Sequence, residues 1–385
     1  MGNYNIRMFN LQNLISNNFT SLFILAMIFC LTGNAQKLEV ELPVYTRCWF
    51  YPTTISNTNI IASDNVENFY LTLYGGRIIS FSSENAEKIW ETELIGNVIS
   101  KPLVDRKTVF IITNNSNTSS DVKKSISLYC LSKSTGIIRW QIKLSTADKV
   151  FLYNSENFIT LINASGEIYS IDKFDGKINW KKKLSAEISA IPFKNNNEII
   201  LGTSDQRVTV FSLINGEPIG SFVVYKSAKI IMEDNSGKNL IMGDRKGILW
   251  SLNKKKKTRN WSFRLGAEIS SITLTERGLL VCSFDNFVYL VSEKSGNIIW
   301  KNRLSGRIAA DPQVRNNNFI ITTVDDSEAL VIELSSGKVV NKITLEEENF
   351  FTGDAIQTKN LFVFNTKKGI LGFSAQKEGC GETKK

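Results

Sequence analysis

Histidine is absent from this 385-residue chain. The side chain that most often serves as general base or metal ligand near neutral pH is therefore missing, and catalysis becomes harder to argue. The cysteines, 5 in all, include no CxxC spacing and no adjacent Cys-Cys pair, so zinc binding and thioredoxin-like chemistry have no support. Sustained helical periodicity is missing after residue 40. Long hydrophobic runs are missing too, apart from Leu22 to Leu31 near the start. What remains is an ordinary globular balance of 42% apolar and 22% charged residues with 24 glycines and 6 prolines, enough to bury a large core.

The one apolar run follows a segment whose only charge is Arg7, and it precedes Gly33, Asn34 and Ala35. That order reads as a signal peptide over residues 1–35, cleaved after Ala35. The run is about ten residues long, where a membrane-spanning helix needs roughly twenty. Cys30 raises a lipoprotein alternative, but Phe29 before it is bulky where such signals place a small residue, so lipid anchoring through Cys30 is the less favoured reading. An exported, periplasmic or cell-envelope protein is expected. Without Arg7 the formal charge of +9 becomes +8, a modest excess that favours acidic partners or membranes weakly. The lysines are scattered or sit in short runs such as Lys254 to Lys257, read here as a hairpin tip, and no nucleic-acid stripe forms.

Tryptophan is the marker of organisation. Trp49, Trp90, Trp140, Trp180, Trp261 and Trp300 recur about every forty residues, and the one double gap hides a degenerate unit centred on Gly220. A further unit, Ser336 to Asn341, follows Trp300. Each unit contains short β-rich runs parted by turn residues, clearest in Phe158 to Ile162, Glu167 to Asp172, Asp175-Gly176 and Lys177 to Trp180. The glycine pairs supply the positive φ a tight hairpin requires. Such a period is that of propeller blades. Ile188-Ser189-Ala190, Ile269-Ser270-Ser271 and Ile308-Ala309-Ala310 suit the innermost strand, where blades converge, and the tryptophan strand is then outermost, with its ring packed between blades.

Residues 353–374 supply inner strands with no tryptophan strand after them, while Arg47 to Tyr51 is a tryptophan strand without a blade. Pairing the two closes an eight-bladed all-β propeller of four-stranded antiparallel blades over residues 44–375, with a flexible tail over 376–385; seven blades is the competing count. That register brings only Cys48 and Cys380 into one blade. A disulfide is permitted after export, but four unpaired or buried thiols are the plainer reading.

The segment Ser170-Ile171-Asp172-Lys173-Phe174-Asp175-Gly176-Lys177-Ile178-Asn179-Trp180 resembles the docking repeat of PQQ-like propellers, with weaker copies at Val291 to Trp300 and Leu131 to Trp140. One branch of that family, the quinoprotein dehydrogenases, implies a bound quinone, calcium, a catalytic acid and an adjacent cysteine pair, none of whose positions carries over to this chain. In size, export signal and lack of catalytic apparatus the chain is similar to the BamB-like branch, which implies an accessory scaffold of outer-membrane β-barrel assembly.

Asp205, Asp244, Asp285 and the pair Asp325-Asp326 fall in loops between second and third strands, where aspartate caps tight turns; a calcium site would need them to converge, and separate blades spread them. On the same face, Asn97, Lys149, Glu187, Lys229, Glu268 and Arg307 lead into the innermost strands and offer a mixed-sign rim for a polar ligand or peptide loop. The polar insertion from Asn114 to Lys124 emerges there too, and a loop on a rigid scaffold is a common place for partner contacts. The resulting expectation is a monomeric, non-catalytic exported scaffold without cofactor or metal, associated with the outer membrane, that binds a protein or peptide partner in the cell envelope. The alternative is a quinone-dependent dehydrogenase or small-ligand sensor using the central channel.

Overall fold

A computed structural model describes residues 45–53, 60–114, 125–144, 149–374 and 380. The expected signal segment with Cys30 lies outside these residues, as do residues 115–124 of the polar insertion and, apart from Cys380, the tail over 376–385.

Eight antiparallel sheets follow one another around a ring, each of four strands from the axis outward: blades 1 to 7 cover residues 60–93, 97–144, 150–183, 193–223, 230–264, 269–303 and 313–344, and blade 8 covers 351–374 plus Thr46–Pro52. No α-helix occurs among the described residues, and accordingly none there is long and apolar enough to cross a membrane. Blade 8 is closed by both ends of the chain, with Thr46–Pro52 antiparallel to Gly369–Ser374. This is the closure expected from the unmatched tryptophan strand, and the blade count is eight.

The strands differ in pattern because they differ in surroundings. Second and third strands are sandwiched between neighbouring sheets, so Thr108–Asn114 and Ile126–Ser132 are buried almost throughout. Outermost strands have one face toward solvent and alternate, as Ile178–Lys183 does with Trp180 and Lys182 toward the neighbouring blade and Lys181 and Lys183 outward. Buried apolar side chains accordingly fall into eight clusters, and each joins two adjacent blades. The core is therefore a closed circle of seams.

A repeated joint fastens six of the eight seams. The pairing of the third and outermost strands slips by one residue just before the tryptophan position in every blade, leaving Ile89, Arg139, Asn179, Ile219, Asn260, Ile299, Val340 and, in blade 8, Cys48 unpaired. Such a bulge bends the strand and re-aims the next side chain. The indole then donates from Nε1 to a backbone carbonyl in the third-to-fourth-strand turn of the following blade: Trp49 to Ser83, Trp90 to Lys133, Trp140 to Lys173, Trp180 to Ile214, Trp261 to Glu293 and Trp300 to Leu334, at 2.8–3.2 Å. In five of these six seams the ring lies on a left-handed glycine of that turn, Gly136, Gly176, Gly216, Gly296 or Gly337, and a Cβ there would come within 2.5–2.8 Å of an indole carbon. Ion pairs join two seams beside this joint, Asp64 to Lys133 at 2.8 Å and Asp105 to Lys173 at 2.6 Å.

Two expectations need correction. Ile269–Thr275 is an innermost strand as expected, but in blades 4 and 7 the small segments make only single bridges, Ile188 with Thr203 and Ile308 with Thr323, and the innermost strands are Phe193–Asn195 and Gln313–Arg315. Pro192 and Pro312 explain this, since each removes an N–H from the ladder, and Pro102 splits the innermost strand of blade 2 in the same way. The cysteines are also not four free thiols. Cys48 and Cys380 form a disulfide with Cα atoms 5.0 Å apart, while Cys130 and Cys282 are free and buried.

Candidate functional site

Loops between second and third strands and loops entering the innermost strands lie on one face of the ring. Four of the five aspartates there are occupied by hydrogen bonds of the loops themselves. Asp244 Oδ1 accepts the backbone N–H groups of Lys246 and Ile248 at 2.9 and 2.7 Å. Asp285 accepts from Phe287 N, Gly266 N and the Tyr289 hydroxyl, and Asp205 from the Thr203 hydroxyl. Burial would raise the Asp326 carboxyl, but hydrogen bonds from Ser305, Glu328 N and Thr323 outweigh it and hold the group below the usual carboxylate range. Among the described residues no three acidic or thiol groups converge as a metal shell would need.

Of the six rim residues, three come together. Lys229 forms an ion pair with Glu268 and also donates to the Ile269 carbonyl at 3.3 Å. Lys229 Nζ stands 5.3 Å from the centre of the Phe284 ring, and the Arg307 guanidinium stands 5.6 Å from the same ring. Blades 5, 6 and 7 thus present an aromatic ring, 42% exposed, between two cations, an arrangement worth roughly 0.5–1 kcal/mol per pair at exposed sites. Glu187 and Lys229 also line a cleft of about 510 Å³ between blades 4 and 5, together with Gln206, Lys226, Arg245 and Lys246. Asn97 and Lys149 lie elsewhere on the ring. Asn97 Oδ1 accepts from Gly75 N at 3.1 Å and holds a turn of blade 1, and Lys149 stacks on Phe151 of its own blade at 5.3 Å.

Phe284 is the residue the sequence reading missed. It occupies the turn position filled by Tyr74, Ser204, Arg245 and Val324 in blades 1, 4, 5 and 7, so an exposed aromatic at a turn tip was the available signal. The motif recurs on this face, with Lys226 over Tyr225 at 5.2 Å and Lys367 over Phe350 at 4.9 Å. Such paired rings and cations suit an acidic or aromatic protein surface. The two free thiols offer no nucleophile, since burial pushes Cys130 up to about 11 and Cys282 up to about 12, which leaves both protonated at neutral pH.

The ring is similar to solved propellers of different origin: BamB from Moraxella catarrhalis (TM-score 0.66, 14% identity, 87% of this chain and 98% of that one), the computationally designed Ika8 protein (0.67, 13%, 85% and 98%) and the C-terminal WD40 domain of Sif2 (0.65, 10%, 87% and 99%). At such identities the likeness concerns the fold. In sequence, the outer membrane protein assembly factor BamB of Legionella pneumophila (strain Paris) is 27% identical over 138 residues, and the match spans 35% of each chain. The family described as outer membrane protein assembly factor BamB matches residues 52–156, 124–219 and 244–349. With most of the ring covered by those matches, the chain belongs to this family of PQQ-like propellers.

Proposed function

We propose that the chain is an exported, non-catalytic scaffold of outer-membrane protein assembly that holds a protein partner on the face carrying Phe284. The observation that carries this reading is the Phe284 ring between Lys229 and Arg307, beside the cleft lined by Glu187 and Lys226. Aromatic and arginine side chains dominate binding energy at protein interfaces, and here three rigid blades fix them before the partner arrives, which lowers the ordering cost of binding. Family membership supports the same assignment, and among the described residues the free thiols are buried and protonated and Asp205, Asp244, Asp285 and Asp326 are engaged by hydrogen bonds of their loops. No group is required beyond the polypeptide itself.

A photo-cross-linking residue in place of Phe284, followed by mass spectrometry of the adducts in intact envelopes, tests the reading. A component of outer-membrane barrel assembly should be captured, and replacing Lys229 and Arg307 by alanine should reduce the yield. Turnover of an alcohol or aldose dependent on added pyrroloquinoline quinone would refute the scaffold reading.

A further inference from the structure

The tryptophan joint is missing from two seams, between blades 7 and 8, where Asn341 takes the tryptophan position, and between blades 4 and 5, where Gly220 does. The turn that receives the indole closes by a backbone hydrogen bond at Gly136, Gly176, Gly216, Gly296 and Gly337, and the equivalent bond in blade 5 is made by Lys257 N to Asn253 O. Lys257 keeps the left-handed backbone, with φ 57°, but no ring lies on it, because the tryptophan position of blade 4 is Gly220. A methyl group built on Gly220 would meet no atom within 4 Å. Beneath this opening the seam is filled from the other side: Trp250, on the third strand of blade 5, is 4% exposed and packs with Val208, Val224 and Leu240. The space over Gly220 is therefore open above a filled core, and Lys257 Nζ reaches the Ser221 carbonyl beside it at 3.5 Å.

Two further features single out this strand. Pro218–Val223 contains no charged residue, whereas each other outermost strand carries at least one lysine, arginine or glutamate. Charges on edge strands guard against pairing with other chains, and that guard is missing where Ile219 and Val223 stand 57% and 64% exposed. The adjoining turn is strongly basic. Lys255, Lys256 and Lys257 are exposed and form no ion pair among the described residues, whereas Lys182 of blade 3, which also reaches this strand, is paired with Glu217 at 2.7 Å.

From these observations we infer a second binding site, separate from the face carrying Phe284: an extended, acidic segment of a partner protein lies along Pro218–Val223, puts a large aromatic side chain over Gly220 in the place of the missing indole, and sets its carboxylates against Lys255 to Lys257. Backbone pairing is confined to the stretch after the bulge at Ile219, where the strand edge is flat. The aromatic residue supplies apolar contact and the lysines supply charge complementarity, a division that gives affinity from the first and orientation from the second.

The test uses the full chain and a fluorescein-labelled peptide, Glu-Val-Thr-Trp-Thr-Val-Glu, read by anisotropy. The peptide should bind, its alanine-for-tryptophan and lysine-for-glutamate versions should bind about tenfold more weakly or worse, and high salt should weaken binding. Ile219→Lys or Val223→Lys should produce a similar loss at an unchanged melting temperature, since both positions are exposed. The pair Gly220→Trp and Lys257→Gly rebuilds the ordinary joint, so it should block the peptide and raise the melting temperature. Phe284→Ala should leave peptide affinity unchanged, which separates this site from the other face. No binding by the unmodified chain, equal binding of the tryptophan and alanine peptides, or full binding by Ile219→Lys overturns the inference.

Discussion

Trp140 Nε1 donates to the Lys173 carbonyl of the next blade at 2.9 Å, while the indole carbons lie so close to Gly176 that a Cβ there would come within 2.8 Å. One side chain thus provides a hydrogen bond, an apolar plate and a steric demand for glycine. The three can be separated by substitution. Trp140→Phe loses chiefly the hydrogen bond, at about 1 kcal/mol. Trp140→Ala also empties the plate, at about 3 kcal/mol or more. Gly176→Ala is destabilising despite being the smallest change, because φ is +76° and the space is taken. Urea denaturation of the three variants should give losses in which alanine at 140 exceeds phenylalanine at 140, with a clear loss for alanine at 176.

Closure of the ring rests on the strand Thr46–Pro52 and on the Cys48–Cys380 disulfide, which links residues 332 positions apart. A cross-link over so long a span restricts the unfolded chain strongly, by about 6 kcal/mol in the loop-entropy account. Reduction, or Cys380→Ser, should lower the melting temperature, and deleting residues 44–52 should lower it further because Trp49 and its seam are lost as well. A truncated protein that melts like the parent would contradict this closure. In the same experiment Cys130 and Cys282 should resist iodoacetamide in the folded protein at neutral pH, as judged by peptide mapping, since both are buried.

Two aspartates should respond to pH in opposite senses. At Asp64, burial raises the carboxyl, but hydrogen bonds from Lys133, Asn68 and Val66 outweigh it and leave the group below its ordinary value. Its contribution is then fully present above the unfolded value of about 3.9 and is lost as pH falls through the folded one. Asp64→Asn should therefore be less stable than the parent at pH 7, with the difference shrinking toward pH 2. At Asp354, burial and the nearby Asp311 raise the carboxyl, against the opposing pull of Lys101. The folded state there holds its proton more tightly than the unfolded state, so stability falls as pH rises through that interval. Asp354→Asn should raise the melting temperature at pH 7 and have less effect near pH 4.

The blade period, the outermost place of the tryptophans and the two-ended closure were legible because each depends on spacing along the chain: glycine four residues before tryptophan, and one tryptophan strand without a blade. The interrupted innermost strands were less legible, since Pro192 and Pro312 act by withholding one N–H and not by changing any periodicity. The disulfide could be placed in a blade but not decided, because pairing depends on where Cys380 returns after the last strand. Loop position identified a rim without saying where its side chains reach. Lys229 and Arg307 turn toward Phe284, Asn97 turns back to Gly75, and Lys149 stays on Phe151. Those choices are made by neighbouring blades, which a reading along one repeat does not contain.

The contrast among rim residues yields the last prediction. If partner capture uses the paired cations and ring, Phe284→Ala and Arg307→Ala should each reduce co-purification of the partner identified by cross-linking, and Lys229→Ala should do so while also freeing Glu268 from its ion pair. Asn97→Ala should leave capture intact but lower stability slightly, because the side chain holds Gly75 N. Lys149→Ala should change neither, since its stacking on Phe151 is local and exposed, and surface substitutions of that kind stay within about 0.5 kcal/mol. Quantitative mass spectrometry of the partner co-purified from envelopes with each variant, paired with melting curves, checks all five together. Equal losses from Lys149 and Phe284 would mean that the partner covers the whole mouth of the ring, whereas loss from Phe284, Arg307 and Lys229 alone confines it to blades 5 to 7.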